Sequence, residues 1–221
     1  MIDKTNKKNI LLKVIAFLIA IQGIRMLLSQ IFFSLAGKSS ENSDLINVLL
    51  MVIFAIIILI ISYKKKINLS IFPNAQTKGQ KIGYVVASII VFILAITSLM
   101  FNGGFSFYFL IPFLLSIVVT PIFEEILFRG YVWNKLKSCY KNEFTVYIIS
   151  TLLFALWHIG YVDIIWFKTT LLTGNMDMVS IMFMKVITGL CFEIILGFVR
   201  YKFKNCYSTM LLHSFMNIFG R

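Results

Sequence analysis

The sequence predicts an all-α membrane protein, a polytopic bundle of about seven transmembrane spans with its N-terminus in the cytoplasm and its C-terminus outside. Three observations carry that expectation. Hydrophobic residues make up 59% of the 221 residues and the mean hydropathy is +0.90. Soluble domains hold roughly 45–50% apolar residues, so a water-soluble fold has nowhere to put the excess. The apolar residues fall in runs near the about 20 needed to cross a bilayer, and the basic residues gather beside alternate runs, as cytoplasmic loops do.

Taken in order, spans are expected at about 10–36, 45–63, 82–101, 106–130, 144–160, 179–199 and 206–220. Lys13 and Arg25 interrupt the first, which is still too long for the apolar part of a signal peptide, so Ser34-Leu35-Ala36 reads as its end and not as a cleavage site. The second runs into Lys64-Lys65-Lys66, and the stretch 64–81, with Pro73, Asn74 and Gly79, reads as a basic cytoplasmic loop. Asn102-Gly103-Gly104 is a tight outer turn before the fourth span. Segment 131–141 mixes aromatics and lysines, as where a helix leaves the bilayer into headgroups. Arg200, Lys202 and Lys204 close the sixth span, whereas the alternate loops carry Lys38 and Lys168 against Glu41, Asp44, Asp163 and Asp177.

This organisation gives residues 1–104 as three N-terminal spans with a basic loop and 105–221 as the core that carries the chemistry, joined in a single integrated membrane domain. A net charge of +12 would suggest nucleic acid in a soluble protein, but here the cations sit beside apolar runs and the partner they imply is membrane lipid, with no nucleic acid. Cys139, Cys191 and Cys206 fall near expected cytoplasmic helix ends, where thiols stay reduced, so no disulfide framework is expected. The heavy use of Lys, Ile and Asn points to an AT-rich bacterium and hence to a bacterial plasma membrane. No feature specifies an oligomeric state. No internal repeat is visible, which withholds support from a repeat-built transporter.

Ionisable residues inside a span cost roughly 2.5–3.5 kcal/mol each on insertion scales and call for a partner or a purpose. The fourth span holds three, Glu124, Glu125 and Arg129. Glu125 and Arg129 are four apart and share a helix face, where they can pair; alone, they are also what a buried packing ion pair looks like. Adjacent helical residues point about 100° apart, so Glu124 faces a different neighbour and is left for chemistry. Glu193, seven residues before Arg200, is expected near the cytoplasmic interface, and Arg25 and Lys185 are read as structural.

The only two histidines complete the set. His158 closes the fifth span; His213 and Asn217 are four apart on the seventh and share a face. With turns near residues 140 and 203, Glu124 and His158 lie at depths equal within roughly 3 Å, and His213 and Asn217 lie somewhat shallower. One cavity opening to the cytoplasm can therefore hold all four. A carboxylate shielded from bulk water suits a general base, and an imidazole and an amide suit donors to a developing oxyanion. No His-Glu-x-x-His helix is present, yet Glu124, His158 and His213 are also three side chains that could ligate a divalent metal such as zinc. The residue types fit both a metal site and a metal-free one.

Glu-Glu-x-x-x-Arg, then Phe-x-x-x-His, then His-x-x-x-Asn, in that order over roughly residues 105–220, resembles the CAAX-protease and bacteriocin-processing (Abi) family, which includes the type II CAAX prenyl endopeptidases. The resemblance implies an intramembrane protease acting on a peptide or protein with an apolar anchor. It also implies that Glu124 activates water with help from His158, that His213 and Asn217 stabilise the oxyanion, and that Glu125 and Arg129 support them. The family is often called metalloprotease, with glutamate-activated water as the competing view. The alternative reading is a bacteriocin-immunity or other peptide-binding membrane protein whose cavity captures without cutting.

Overall fold

A computed structural model of the chain describes residues 4–74, 77–102, 105–173 and 177–220, and no strand occurs among them. Three long helices come first: α1 (Lys4–Ala36), α2 (Ser40–Lys64) and α3 (Lys78–Asn102). Ser39 starts α2 by accepting a hydrogen bond from the Asn42 N–H at 3.1 Å, which satisfies one of the donors a helix start leaves unpaired. The loop after α2 tucks beneath a later helix: the amides of Cys206 and Tyr207 donate to the carbonyls of Ser70 and Ile71 at 2.9 Å each.

The fourth span is one broken helix over Phe107–Lys137. It comprises α4 (Phe107–Leu114), a π-helical stretch Leu115–Val119, α5 (Thr120–Glu125), a second π stretch Ile126–Val132 and α6 (Trp133–Lys137). Pro121 explains the first widening. It has no N–H to donate, and the Thr120 amide reaches back five residues to the Leu115 carbonyl. The two acidic residues thus sit at the end of a six-residue α segment flanked by wider turns.

The chain reverses near residue 140, as the sequence predicts, and climbs back as α7 (Glu143–Trp157), a 3-10 turn His158–Tyr161 and α8 (Val162–Thr173). The expected end of this span near 160 is corrected: the helix resumes, and Asp163 and Lys168 lie on it instead of in an outer loop. The reason is a buried polar cluster joining it to α1. Arg25 contacts Asp163 at 2.5 Å and Gln22 at 2.8 Å, and Gln22 donates to the Trp157 carbonyl at 3.2 Å. That cluster also accounts for a cation in the middle of the first span. Gly160 permits the approach, since a Cβ there would lie 2.4 Å from the Gln22 amide carbon.

The last helices are α9 (Met178–Phe203) and α10 (Cys206–Phe219). Among the described residues six helices are long and apolar enough to cross a membrane, close to the seven expected. The difference is α10: its 14 residues reach about 21 Å at 1.5 Å per residue, short of the about 30 Å hydrocarbon core. The protein is a multi-pass membrane protein in which α10 is inserted among longer helices. Its main core joins α1 and α2 (Leu18, Phe54, Ile58) to the fourth and fifth spans (Phe128, Trp133, Phe154). Apolar side chains such as Ile19, Ile56, Phe92 and Phe198 face outward, where lipid replaces water as solvent.

Candidate active site

Glu124 lies in the last turn of α5 and is almost fully buried, 2% exposed. One of its oxygens, Oε1, accepts a hydrogen bond from the Tyr161 hydroxyl at 3.1 Å; the other, Oε2, lies 4.0 Å from His213 Nε2. Tyr161, three residues beyond His158 and on the same 3-10 turn, is the neighbour that Glu124 faces. Tyr161 is itself held: the Trp157 indole donates to its hydroxyl at 3.1 Å, and the Arg25 guanidinium lies 5.3 Å from its ring centre.

His158 is placed by two neighbours. Its Nδ1 lies 3.0 Å from the Phe154 carbonyl one turn back, and its ring packs edge-on against Phe154. Across from it α9 carries Gly189, where a Cβ would come within 2.7 Å of Nδ1. A backbone that close admits no side chain without moving the imidazole. No partner for His158 Nε2 is found among the described residues.

His213 and Asn217 share one face of α10, as their spacing predicts. His213 Nδ1 lies 2.9 Å from Glu125 Oε1. Asn217 Nδ2 donates to the Ser116 carbonyl at 2.7 Å, five residues before Pro121, whose ring nitrogen has no hydrogen to offer it. One amide hydrogen of Asn217 thus repairs the break in the fourth span and the other is left over.

Behind these residues lies an ion network with no solvent exposure. Arg129 Nε pairs with Glu125 Oε2 at 3.0 Å, and its terminal nitrogen pairs with Glu193. Its guanidinium lies 4.7 Å from the Phe154 ring centre, and Arg200 donates to the Arg129 carbonyl at 3.0 Å. The placement of Glu193 near the interface is therefore corrected: it is fully buried and is the second anion of Arg129. The seven-residue distance to Arg200 misleads because Arg200 also folds inward, 2% exposed, so the interface lies beyond both.

A cavity of about 360 Å³ brings Glu124, His158, His213 and Asn217 together, with Tyr161 and Gly189 also on its wall. Glu125 and Arg129 do not line it; they touch it through His213. From Glu124 the cavity runs along Thr120 and Ser116 toward Lys185 and an Asp44–Lys168 pair at 2.5 Å. Three side chains here are of metal-ligating type, and each histidine has the Nδ1 contact to a protein oxygen that ligating histidines show. Among the described residues, however, no three His, Cys, Asp or Glu side chains are grouped closely enough to hold one metal ion. The arrangement as it stands can hold a water against a carboxylate.

A family model described as type II CAAX prenyl endopeptidase Rce1-like matches residues 105–219, slightly more than half of the chain. The matched region contains all six residues singled out by their spacing. No curated protein and no solved structure matches the chain.

Proposed function

The chain belongs to the Rce1-like family of type II CAAX prenyl endopeptidases, and from that premise we propose that it hydrolyses a peptide bond inside the membrane with water activated by Glu124. The observation that carries this reading is the convergence of Glu124, both histidines and Asn217 on one cavity, from three separate stretches of the broken bundle. The substrate on this reading is a peptide or protein that presents its scissile bond beside an apolar anchor.

The steps follow from the contacts. A water between Glu124 and His158 gives a proton to Glu124 and its oxygen bonds to the scissile carbonyl carbon. Tyr161 donates to Glu124 Oε1, which holds the carboxylate and leaves Oε2 as the basic atom. Charge builds on the carbonyl oxygen, where preorganised donors in a water-poor site contribute about 3–4 kcal/mol each. The remaining amide hydrogen of Asn217 is one such donor. The His213 ring, held through Nδ1 by Glu125, is the other, with Nε2 turned toward Glu124. Glu124 then passes its proton to the departing nitrogen as the C–N bond breaks, and the products are a free amine and a carboxylate. Glu125, Arg129 and Glu193 act through His213 as its mount.

The test is a crosslinking and cleavage assay in proteoliposomes with a panel of membrane-anchored peptides, a farnesylated CAAX-type peptide and amphipathic peptides among them, run on wild type, Glu124→Gln and Asn217→Ala. Glu124→Gln keeps shape and loses the base, so capture without product is expected. Asn217→Ala is expected to lower turnover about 10²–10³-fold with capture nearly intact, because the lost bond strengthens only in the transition state. Weakened capture in Asn217→Ala with no product from any form would instead identify a binding protein.

A further inference from the structure

The two ends of the bundle differ in charge, and contacts show that the basic segments share one end. Lys137 and Lys204 both pair with Glu143, at 3.2 and 2.7 Å. Lys7 lies 5.5 Å from the Tyr140 ring centre, and the Cys206 amide bonds the Ser70 carbonyl. These contacts gather the start of α1, the loop after α2, the 137–143 reversal and the α9–α10 turn at a single face. The positive-inside rule makes that face cytoplasmic.

The cavity leads the other way. On the cytoplasmic side of Glu124 the fourth span is sealed: Leu127, Phe128, Val132, Trp133 and Leu136 have no exposure, and the Arg129 ion network fills the space beside them. On the opposite side the same helix offers Thr120 and Ser116 to the cavity, whose far wall carries Asp44, Lys168 and Lys185. Those three sit within about 10 Å of the helix ends that face away from the basic loops, at 1.5 Å per residue. A larger cavity of about 1550 Å³ does lie at the basic end, but it shares no lining residue with the first. It runs along Ser208, Leu211 and Phe215, a different face of α10 from His213 and Asn217.

Resting on the endopeptidase reading, we infer that the cavity takes its substrate from the non-cytoplasmic side, so that the peptide it cuts is one exported across the membrane or arriving from outside. This replaces the expectation of a cytoplasm-facing site: depth counting placed Glu124 and His158 at one level and His213 and Asn217 somewhat nearer the cytoplasm, but it took no account of the side chains packed on the cytoplasmic side of Glu124. A cytoplasmic protein with a C-terminal lipid is on this account the wrong class of natural substrate, whereas an anchored or amphipathic peptide at the outer leaflet is the right one.

The experiment is site-directed thiol labelling, which reads access without needing activity. Thr188→Cys and Lys185→Cys place a thiol on the cavity wall and Lys137→Cys places one at the basic end, all with Cys191→Ser to remove the exposed native thiol. Intact bacterial cells making the full chain are treated with a small membrane-impermeant methanethiosulfonate, then lysed and labelled with a maleimide dye. Loss of later dye labelling at 185 and 188, with Lys137→Cys protected only after permeabilisation, is the expected result. Protection of Lys137→Cys in intact cells, or cavity thiols that react only after permeabilisation, overturns the inference. Repeating the pair on Glu124→Gln separates the two readings: the access pattern stands whether or not the protein cuts, and absent cleavage with the expected pattern sinks only the enzyme.

Discussion

Replacing Arg129 with methionine tests the ion network that mounts the site. The substitution keeps much of the volume and removes the charge that Glu125 meets at 3.0 Å and that Glu193 also contacts, all three side chains having no exposure. Removing one partner of a buried pair costs about 3–5 kcal/mol, because an uncompensated charge is left behind. Here Glu125 keeps His213 at 2.9 Å, so the stranded charge is chiefly Glu193 and the loss stays in that range instead of doubling. It corresponds to about a 10²- to 10³-fold or greater shift toward the unfolded form. Unfolding in mixed detergent and SDS micelles, followed by the fluorescence of Trp133, Trp157 and Trp166, measures it. Arg129→Met combined with Glu193→Gln removes both charges and is expected to recover most of the loss. An Arg129→Met protein within about 1 kcal/mol of wild type, or a double variant no better than the single, would refute the network as described.

Glu125→Gln is expected to cost less stability than Arg129→Met, since Arg129 retains Glu193, yet to lose activity because His213 loses its anionic partner; unfolding and cleavage measured together check this. Tyr161→Phe removes one hydrogen bond to a carboxylate, an interaction of about 1.5–3 kcal/mol, and is expected to lower kcat roughly 10- to 100-fold with KM little changed. Gly189→Ala sets a methyl 2.7 Å from His158 Nδ1, so the ring must shift, and misplacement of about 1 Å can cost about 10²-fold in rate. A folded Gly189→Ala protein with full activity would remove His158 from the chemistry.

The helices and the grouping of Glu124, His158, His213 and Asn217 were legible because they rest on local rules: apolar run length, and the 3.6-residue period that sets which neighbours share a face. The division between the two glutamates follows from the same period, and the structure turns Glu124 to the cavity and Glu125 to Arg129 and His213. What was not legible depends on distant partners. Glu193 meets an arginine 64 residues away, and Arg25 meets Asp163 across 138; neither spacing leaves a local trace. Tyr161 carried a signal, its three-residue offset from His158, but in a 3-10 turn where side chains three apart eclipse that offset brings it to the site, and nothing before Gly160 announces the turn. The direction of the cavity could not be had from depth counting, because depth says nothing of which end is plugged by Phe128, Trp133 and Leu136. α10 reads as a span because its apolar run is nearly long enough, but over Cys206–Phe219 it is shorter than the six helices that can cross.

The central claim is that Glu124 makes this chain an endopeptidase, and the most direct measurement compares the peptides of cells that differ at that one residue. Cells making wild type or Glu124→Gln at equal membrane abundance are analysed by mass spectrometry of their membrane and secreted peptides. Fragments present with wild type and absent with Glu124→Gln, each ending in a new carboxylate and matched by its complementary piece, are the predicted result. Identical fragments from both cells would contradict the account.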